Sequence, residues 1–318
     1  MLSMENVIIV GSGPAGLTAG IYAARAGFSP LVVEGFAAGG QLVSTPEVEN
    51  FPGFAEPVSG VELMTSMRRQ AERAGVRFAL DEISSVDFSG DSRKLVGTAG
   101  VCEAKSVIIA TGAEAKWTGL PGESQYRNHG ISACATCDGA FHRGKRVVVI
   151  GGGDTALSDA LHLSRLCDAV TIVHRRGEFR GAKVLADRVL ETPNIVVRMN
   201  TTVSSFEGDG RKLESVVLSD GERLEVSGAF VAIGYAPKTA FLKGALELDE
   251  SGYVRVSETR TSVKGVFAAG DCADPNYKQA VSAAGTGAQA ALEVQNYLAA
   301  LNAENSERIC EQYKELKE

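Results

Sequence analysis

The sequence predicts an α/β protein in which one doubly wound unit is inserted into another. Three observations predict this. Two short apolar runs, Val7-Ile8-Ile9-Val10 and Val147-Val148-Val149-Ile150, each lead into a glycine cluster and then into small and apolar residues at helical spacing. Each copy continues through turn-rich hairpin segments and closes on a second apolar strand ending in glycine, at Gly112 and at Gly234. The residues beyond 241 begin no third copy but contain one more strand-like run, Gly265-Val266-Phe267-Ala268-Ala269-Gly270-Asp271, suited to completing the first unit. The expected division is 1–113 with 241–318 for one domain and 117–240 for the other.

Each element has a local cause. In the first copy the strand is followed by Gly11-Ser12-Gly13-Pro14-Ala15-Gly16, a helix to about Ala26 and a strand Leu31-Val32-Val33 ending in Glu34. Segments around Val86-Asp87-Phe88 and Lys94-Leu95-Val96 flank the turn Ser89-Gly90-Asp91 and read as antiparallel strands. In the second copy Gly151-Gly152-Gly153-Asp154-Thr155-Ala156 opens a helix to about Leu166, and a strand Val170-Thr171-Ile172-Val173 follows. Turns at Gly208-Asp209-Gly210 and Ser219-Asp220-Gly221 mark its hairpins. An alanine-rich helix is expected over 279–301, with a polar surface helix or frayed tail over 302–318.

Composition removes several functions. The chain has 318 residues, 44% hydrophobic and 22% charged, with a net charge of −7. That balance disfavours a partner whose phosphates must be neutralised, so no nucleic acid is expected. No apolar run approaches the roughly 20 residues of a membrane span, and the first residues do not resemble a secretory signal. A cytoplasmic enzyme is expected. Six cysteines are too scattered for a disulfide framework. Cys102, Cys167, Cys272 and Cys310 read as small core or surface residues.

The first glycine cluster is a dinucleotide-binding fingerprint in its required context of strand, turn and helix. Gly11 makes the tight turn and Gly13 admits a pyrophosphate to backbone N–H groups. Gly16 permits close helix packing, and the helix N-terminus favours negative charge. Glu34 stands where a carboxylate accepts hydrogen bonds from a ribose. The second copy places His174-Arg175-Arg176 at that point, with Arg180 one turn onward. Guanidinium groups there suit a 2′-phosphate, which an acid would repel, so NADP(H) is expected over NAD(H). Ala156 in place of the third glycine fits the pattern.

Cys134-Ala135-Thr136-Cys137-Asp138 is a C-x-x-C without a second pair or histidine spacing to make a metal site. Its spacing lets one thiolate attack and the other resolve a mixed disulfide. Asp138 is placed either to exchange a proton with the thiolate or to cap a helix. Spacing does not decide which cysteine has which role.

Together these motifs, with Gly39-Gly40-Gln41-Leu42, Glu49-Asn50-Phe51-Pro52-Gly53 and Gly270-Asp271 followed by Gln279-Ala280-Val281, resemble the bacterial-type, low-molecular-weight thioredoxin reductases. The resemblance runs in consistent order from about Val7 to Leu301. It implies two Rossmann-like domains of the three-layer ββα type, with the NADPH domain inserted into the FAD domain, in a homodimer. Electrons would pass from NADPH through FAD to a Cys134–Cys137 disulfide and then to thioredoxin. Cys137 would face the flavin and Cys134 would attack the partner.

By the same resemblance FAD is held by Gly11, Gly13, Pro14, Ala15 and Gly16, by Glu34 and Gly35, and by Gly40, Gln41, Leu42 and Asn50. The strand end Ala110-Thr111-Gly112, then Gly270, Asp271, Gln279 and Ala280, completes that set. NADPH falls to Gly151, Gly152, Gly153, Asp154, Thr155 and Ala156, to His174, Arg175, Arg176 and Arg180, and to Ile233 and Gly234. Two positions depart from the family pattern: Cys272 replaces an aliphatic residue and His142 stands in place of an aromatic ring. Dithiol and NADPH on one domain cannot occupy the flavin's reactive face together, so that domain is expected to swing about hinges at 112–117 and 236–241. The alternatives are a reductase of another small dithiol protein and a ferredoxin- or flavodoxin-type NADP reductase, which needs no C-x-x-C.

Replacing Arg175 and Arg176 with neutral residues is expected to raise the KM for NADPH much more than that for NADH. Steady-state kinetics with both coenzymes checks this, and equal effects would refute the 2′-phosphate assignment.

Overall fold

The computed structural model describes residues 4–36 and 38–315. Two compact units form, Met1–Glu114 with Ala236–Glu318, and Ala115–Tyr235. The return crossing therefore lies at 235/236, not at the expected 240/241. The reason is local bonding. Lys238 N donates to Gly112 O and Thr111 Oγ1 donates to Lys238 O, while Thr239 is buried and its Oγ1 donates to Gly252 O. Those bonds tie the residues after 235 to the first unit.

The first unit is built on the parallel strands Arg77–Leu80, Leu31–Glu34, Glu5–Val10 and Gly100–Ile109, in that order across the sheet. The Gly100–Ile109 strand divides its far edge. Its first half pairs antiparallel with Arg93–Gly97, which pairs in turn with Ile83–Asp87, and its second half pairs parallel with Val266–Ala268. The expected completion by the C-terminal segment is thus a strand at Val266–Ala268. Apolar side chains alternate to opposite faces: Val7 and Ile9 pack with helix residues Leu17 and Ala19, whereas Ile8 and Val10 pack with Leu95 and Val254. Burial on both faces explains the uninterrupted apolar run in the sequence.

Helix Pro14–Arg25 starts with proline at its first turn, where the missing N–H has no partner to lose. Helix Gly60–Ala74 is capped by Ser59, whose Oγ accepts from Glu62 N at 3.1 Å, and ends at Gly75 with φ +96°. The last helix runs over Ala280–Glu315 without a break at 301, so the polar segment continues it.

The second unit repeats the plan. Parallel strands lie in the order Ile195–Arg198, Ala169–Val173, Arg146–Ile150, Gly228–Val231 and Ile131–Ser132. Helices Asp154–Leu163 and Lys183–Glu191 pack on one face. A separate antiparallel sheet of Val203–Gly208, Leu213–Leu218 and Arg223–Glu225 supplies Phe206 and Val216 to the core with Val148 and Ile150.

Helix Pro14–Arg25 and the last helix approach so closely that a Cβ on Gly287 would lie 2.2 Å from Ala15 O. Backbone cannot step aside as a side chain can. Gly287→Ala is therefore expected to destabilise the fold by about 1–3 kcal/mol, the usual cost of overpacking, despite alanine's helix preference of about 1 kcal/mol. At Gly285 a Cβ meets nothing within 4 Å, so Gly285→Ala is expected to be neutral or stabilising. Thermal unfolding of the two variants checks the contrast.

Candidate dinucleotide and dithiol sites

In the first unit the glycine turn is shaped by contacts that exclude side chains. Gly11 has φ +110°, and a Cβ there would sit 2.3 Å from Ala110 O. A Cβ on Gly16 would sit 1.9 Å from Gly11 O, whereas one on Gly13 would project into open space. Gly13 thus leaves room for a ligand at the N-terminus of helix Pro14–Arg25, as a pyrophosphate requires. Gly35 likewise faces open space. Gly40, Gln41 and Leu42 form a 3-10 turn brought to this place by Gly39 N, which donates to Ser12 Oγ at 3.1 Å. Gln41 Nε2 donates to Ala113 O, and Asn50 Nδ2 donates to Gln279 Oε1 at 3.4 Å.

Gly270 closes against the same turn: its Cβ would be 2.9 Å from the Ala15 Cβ, and its N–H donates to Thr286 Oγ1. Asp271 follows in a 3-10 turn, and Ala280 begins the last helix. Burial, with Asp274 nearby, pushes Asp271 up to about 6. Cys272 is fully buried and burial pushes its thiol up to about 11, so it acts as a small core residue in the aliphatic position. Cys167 is also buried and Cys102 partly so; the side chain of Cys310 lies outside the described residues.

Glu34 ends its strand beside this turn, because Gly11 N donates to Val33 O at 2.8 Å. Its carboxylate receives Arg68 Nη1 at 2.8 and 2.6 Å, a partner that no local motif announces.

The second unit contains an open cavity of about 810 Å³. Gly151 to Thr155, His174, Arg175, Arg176, Arg180, Ile233 and Gly234 all line it, so the sequence-predicted coenzyme residues converge on one space. Ala156 lies beneath the wall, its Cβ 2.9 Å from where one on Gly151 would be. Arg175, Arg176 and Arg180 are exposed and enter no ion pair among the described residues, a donor set suited to a phosphate. His174 is buried and packs where a Gly152 side chain would collide with its ring. Its Nε2 donates to Glu178 O at 3.0 Å, and burial followed by the neighbouring arginines lowers its pKa. The neutral ring therefore braces the arginine turn.

Thr118 and Leu120 also line the cavity and carry no sequence motif. Glu123, almost wholly buried, accepts from Thr118 N, Thr118 Oγ1 and Gly119 N at 2.9, 2.6 and 2.7 Å and so pins that wall. Burial raises its pKa, but these donors outweigh it and the net shift is downward.

Cys134 and Cys137 form a disulfide in this same unit, with Cα atoms 5.3 Å apart. The one-turn helix Ala135–Asp138 holds them, and Cys134 N donates to Ser132 Oγ at 3.0 Å. Asp138 makes no side-chain cap bond, which removes the capping alternative. Burial raises its pKa, opposed by a hydrogen bond from Ser132, so it keeps a proton to higher pH than an ordinary carboxylate. His142 fills the expected aromatic position as a ring, edge-on to Phe230 at 5.5 Å. His142 Nδ1 lies 3.0 Å from Ser227 Oγ, which also donates to Arg146 O.

The pyridine nucleotide-disulphide oxidoreductase family matches residues 5–287. The chain belongs to this family. Among related members, a thioredoxin reductase from Streptomyces clavuligerus is 48% identical over 320 residues, covering 98% of each chain. One from Vibrio cholerae is 44% identical over 308 residues, 92% of this chain and 96% of its own. The solved structure of a thioredoxin reductase from Giardia duodenalis superposes with a TM-score of 0.89 at 39% identity, covering 93% of this chain and all of that one. Membership makes the chain an oxidoreductase in which a pyridine nucleotide and a disulfide exchange electrons. Among the described residues no helix is long and apolar enough to cross a membrane, and no group of acids, cysteines and histidines forms a metal site.

Burial lowers the pKa of His142 from 6.5 to about 4. Between those values the unfolded chain binds more protons than the folded one, so stability falls as pH falls through that window. His142→Phe keeps the ring and removes the proton. The wild-type protein is expected to lose about 1–2 kcal/mol more than the variant over this range, the half-buried ring being partly screened by solvent. Unfolding at a series of pH values checks the difference in slope.

Proposed function

We propose that the chain is an NADPH-dependent, FAD-containing thioredoxin reductase acting as a cytoplasmic homodimer. The observation that carries this reading is the Cys134–Cys137 disulfide in the same unit as a cavity lined by Arg175, Arg176 and Arg180. Those arginines bind the 2′-phosphate, and the Gly151–Thr155 turn receives the pyrophosphate. The Gly11–Gly16 turn, Glu34, Asn50, Asp271 and Gln279 hold FAD, whose flavin when bound relays two electrons between coenzyme and disulfide.

The chain's own groups handle sulfur and protons. Two electrons break the Cys134–Cys137 bond and leave two sulfurs that need protons when not attacking. Asp138, its pKa raised by burial, supplies a proton to the departing sulfur and recovers it when the disulfide reforms. Cys134 then attacks the disulfide of thioredoxin, forming a mixed disulfide and releasing one partner thiolate. Cys137 attacks Cys134 in turn, restoring the disulfide and freeing reduced thioredoxin. The names of the relatives support thioredoxin as the partner over other small dithiol proteins.

Purified protein is expected to be yellow and to oxidise NADPH rapidly only when thioredoxin is added, followed as loss of reduced-coenzyme absorbance. Cys134→Ser and Cys137→Ser are each expected to lower that rate by at least about 10³-fold, and Asp138→Asn by about 10²-fold. Undiminished thioredoxin reduction by both cysteine variants would refute the reading.

A further inference from the structure

We propose that Arg68 is a positioning residue for the nucleotide of the first unit: it holds the Glu34 carboxylate so that the remaining lone pairs receive the adenosine ribose hydroxyls. This rests on the reading that FAD binds at the Gly11–Gly16 turn.

Glu34 is only 10% exposed at its side chain, and an unpartnered carboxylate at that depth is costly. Arg68 Nη1 reaches both oxygens, and among the described residues no other donor hydrogen-bonds to them. An ionised carboxylate offers about four lone-pair sites. A single nitrogen shared by two oxygens leaves each oxygen able to accept once more, which matches the two adjacent hydroxyls of a ribose. Arg68 is itself fixed from two further directions. Its Nε donates to Glu72 Oε1 at 3.0 Å, and its guanidinium lies 4.1 Å from the centre of the Phe78 ring. Phe78 sits on the strand beside Glu34, paired with Val32. The arginine is thus anchored independently of Glu34 and sets the carboxylate's direction.

The same contacts sort the two nucleotides. One guanidinium faces two carboxylates here, so the end of the first unit's site stays acidic and disfavours a 2′-phosphate. In the second unit the corresponding place carries three arginines that enter no ion pair among the described residues. Nothing in the spacing of Arg68 and Glu34 along the chain announces their pairing.

The test is fluorescence titration of the flavin-stripped, full-length protein with FAD and with FMN, which lacks the adenosine half. Wild type, Arg68→Met, Arg68→Lys, Glu34→Gln and the Glu34→Gln/Arg68→Met double variant are compared, with thermal unfolding as a check on folding. Arg68→Met is expected to raise the Kd for FAD roughly tenfold, with partial recovery in Arg68→Lys. In the Glu34→Gln background the arginine change is expected to add nothing, and FMN binding is expected to stay the same throughout. Equal FAD affinity in wild type and Arg68→Met would overturn the proposal. So would equal weakening of FMN, or the same loss in the Glu34→Gln background. Wild-type protein that binds no FAD would overturn the cofactor reading itself.

Discussion

The architecture depends on a contact that leaves no room for a side chain. In the first unit the turn after the first strand meets the carbonyl of Ala110, and in the second the equivalent turn meets that of Ala232. A Cβ on Gly11 or Gly151 would come within 2.3 or 2.4 Å of those oxygens, and both residues adopt positive φ. This approach lets the helix begin immediately, with its N–H groups turned to the mouth of the sheet. It also brings each unit's closing strand end, Ala110-Thr111-Gly112 in the first and Ile233-Gly234 in the second, to that unit's own glycine turn. The two sites therefore inherit their backbone from one constraint met twice.

What distinguishes them is the sign of charge at the end of the second strand. Glu34 and its bound Arg68 leave the first site acidic, while Arg175, Arg176 and Arg180 make the second basic. The scaffold presents the same helix N-terminus in both, and the side chains at the rim give the two sites opposite charge. Burial pushes Asp138 toward its protonated form and His142 toward its neutral form.

Features carried by a few consecutive residues could be read directly. The buried parallel strands, the glycine turns, the arginine turn and the C-x-x-C needed only their neighbours in the chain, because a tight turn or a two-cysteine reach is a property of local backbone. His142 is a partial case: its place in an aromatic slot was legible, but its hydrogen bond to Ser227, far along the chain, and its burial were not. The domain return was misplaced by about five residues because apolar and turn patterns do not report that Lys238 bonds to Gly112.

The sequence by itself determined two units with a glycine turn, the opposite charge at the ends of their second strands and a redox-capable cysteine pair, since each follows from residue type at short spacing. Only the tertiary structure decided that Glu123 pins the Thr118 wall and that Arg68 rather than solvent meets Glu34. It also decided that Asp138 is a half-buried acid and not a helix cap. Those outcomes hinge on which side chains meet once sheets and helices pack, and on how much water is left beside them. Neither quantity has a signature in the order of residues.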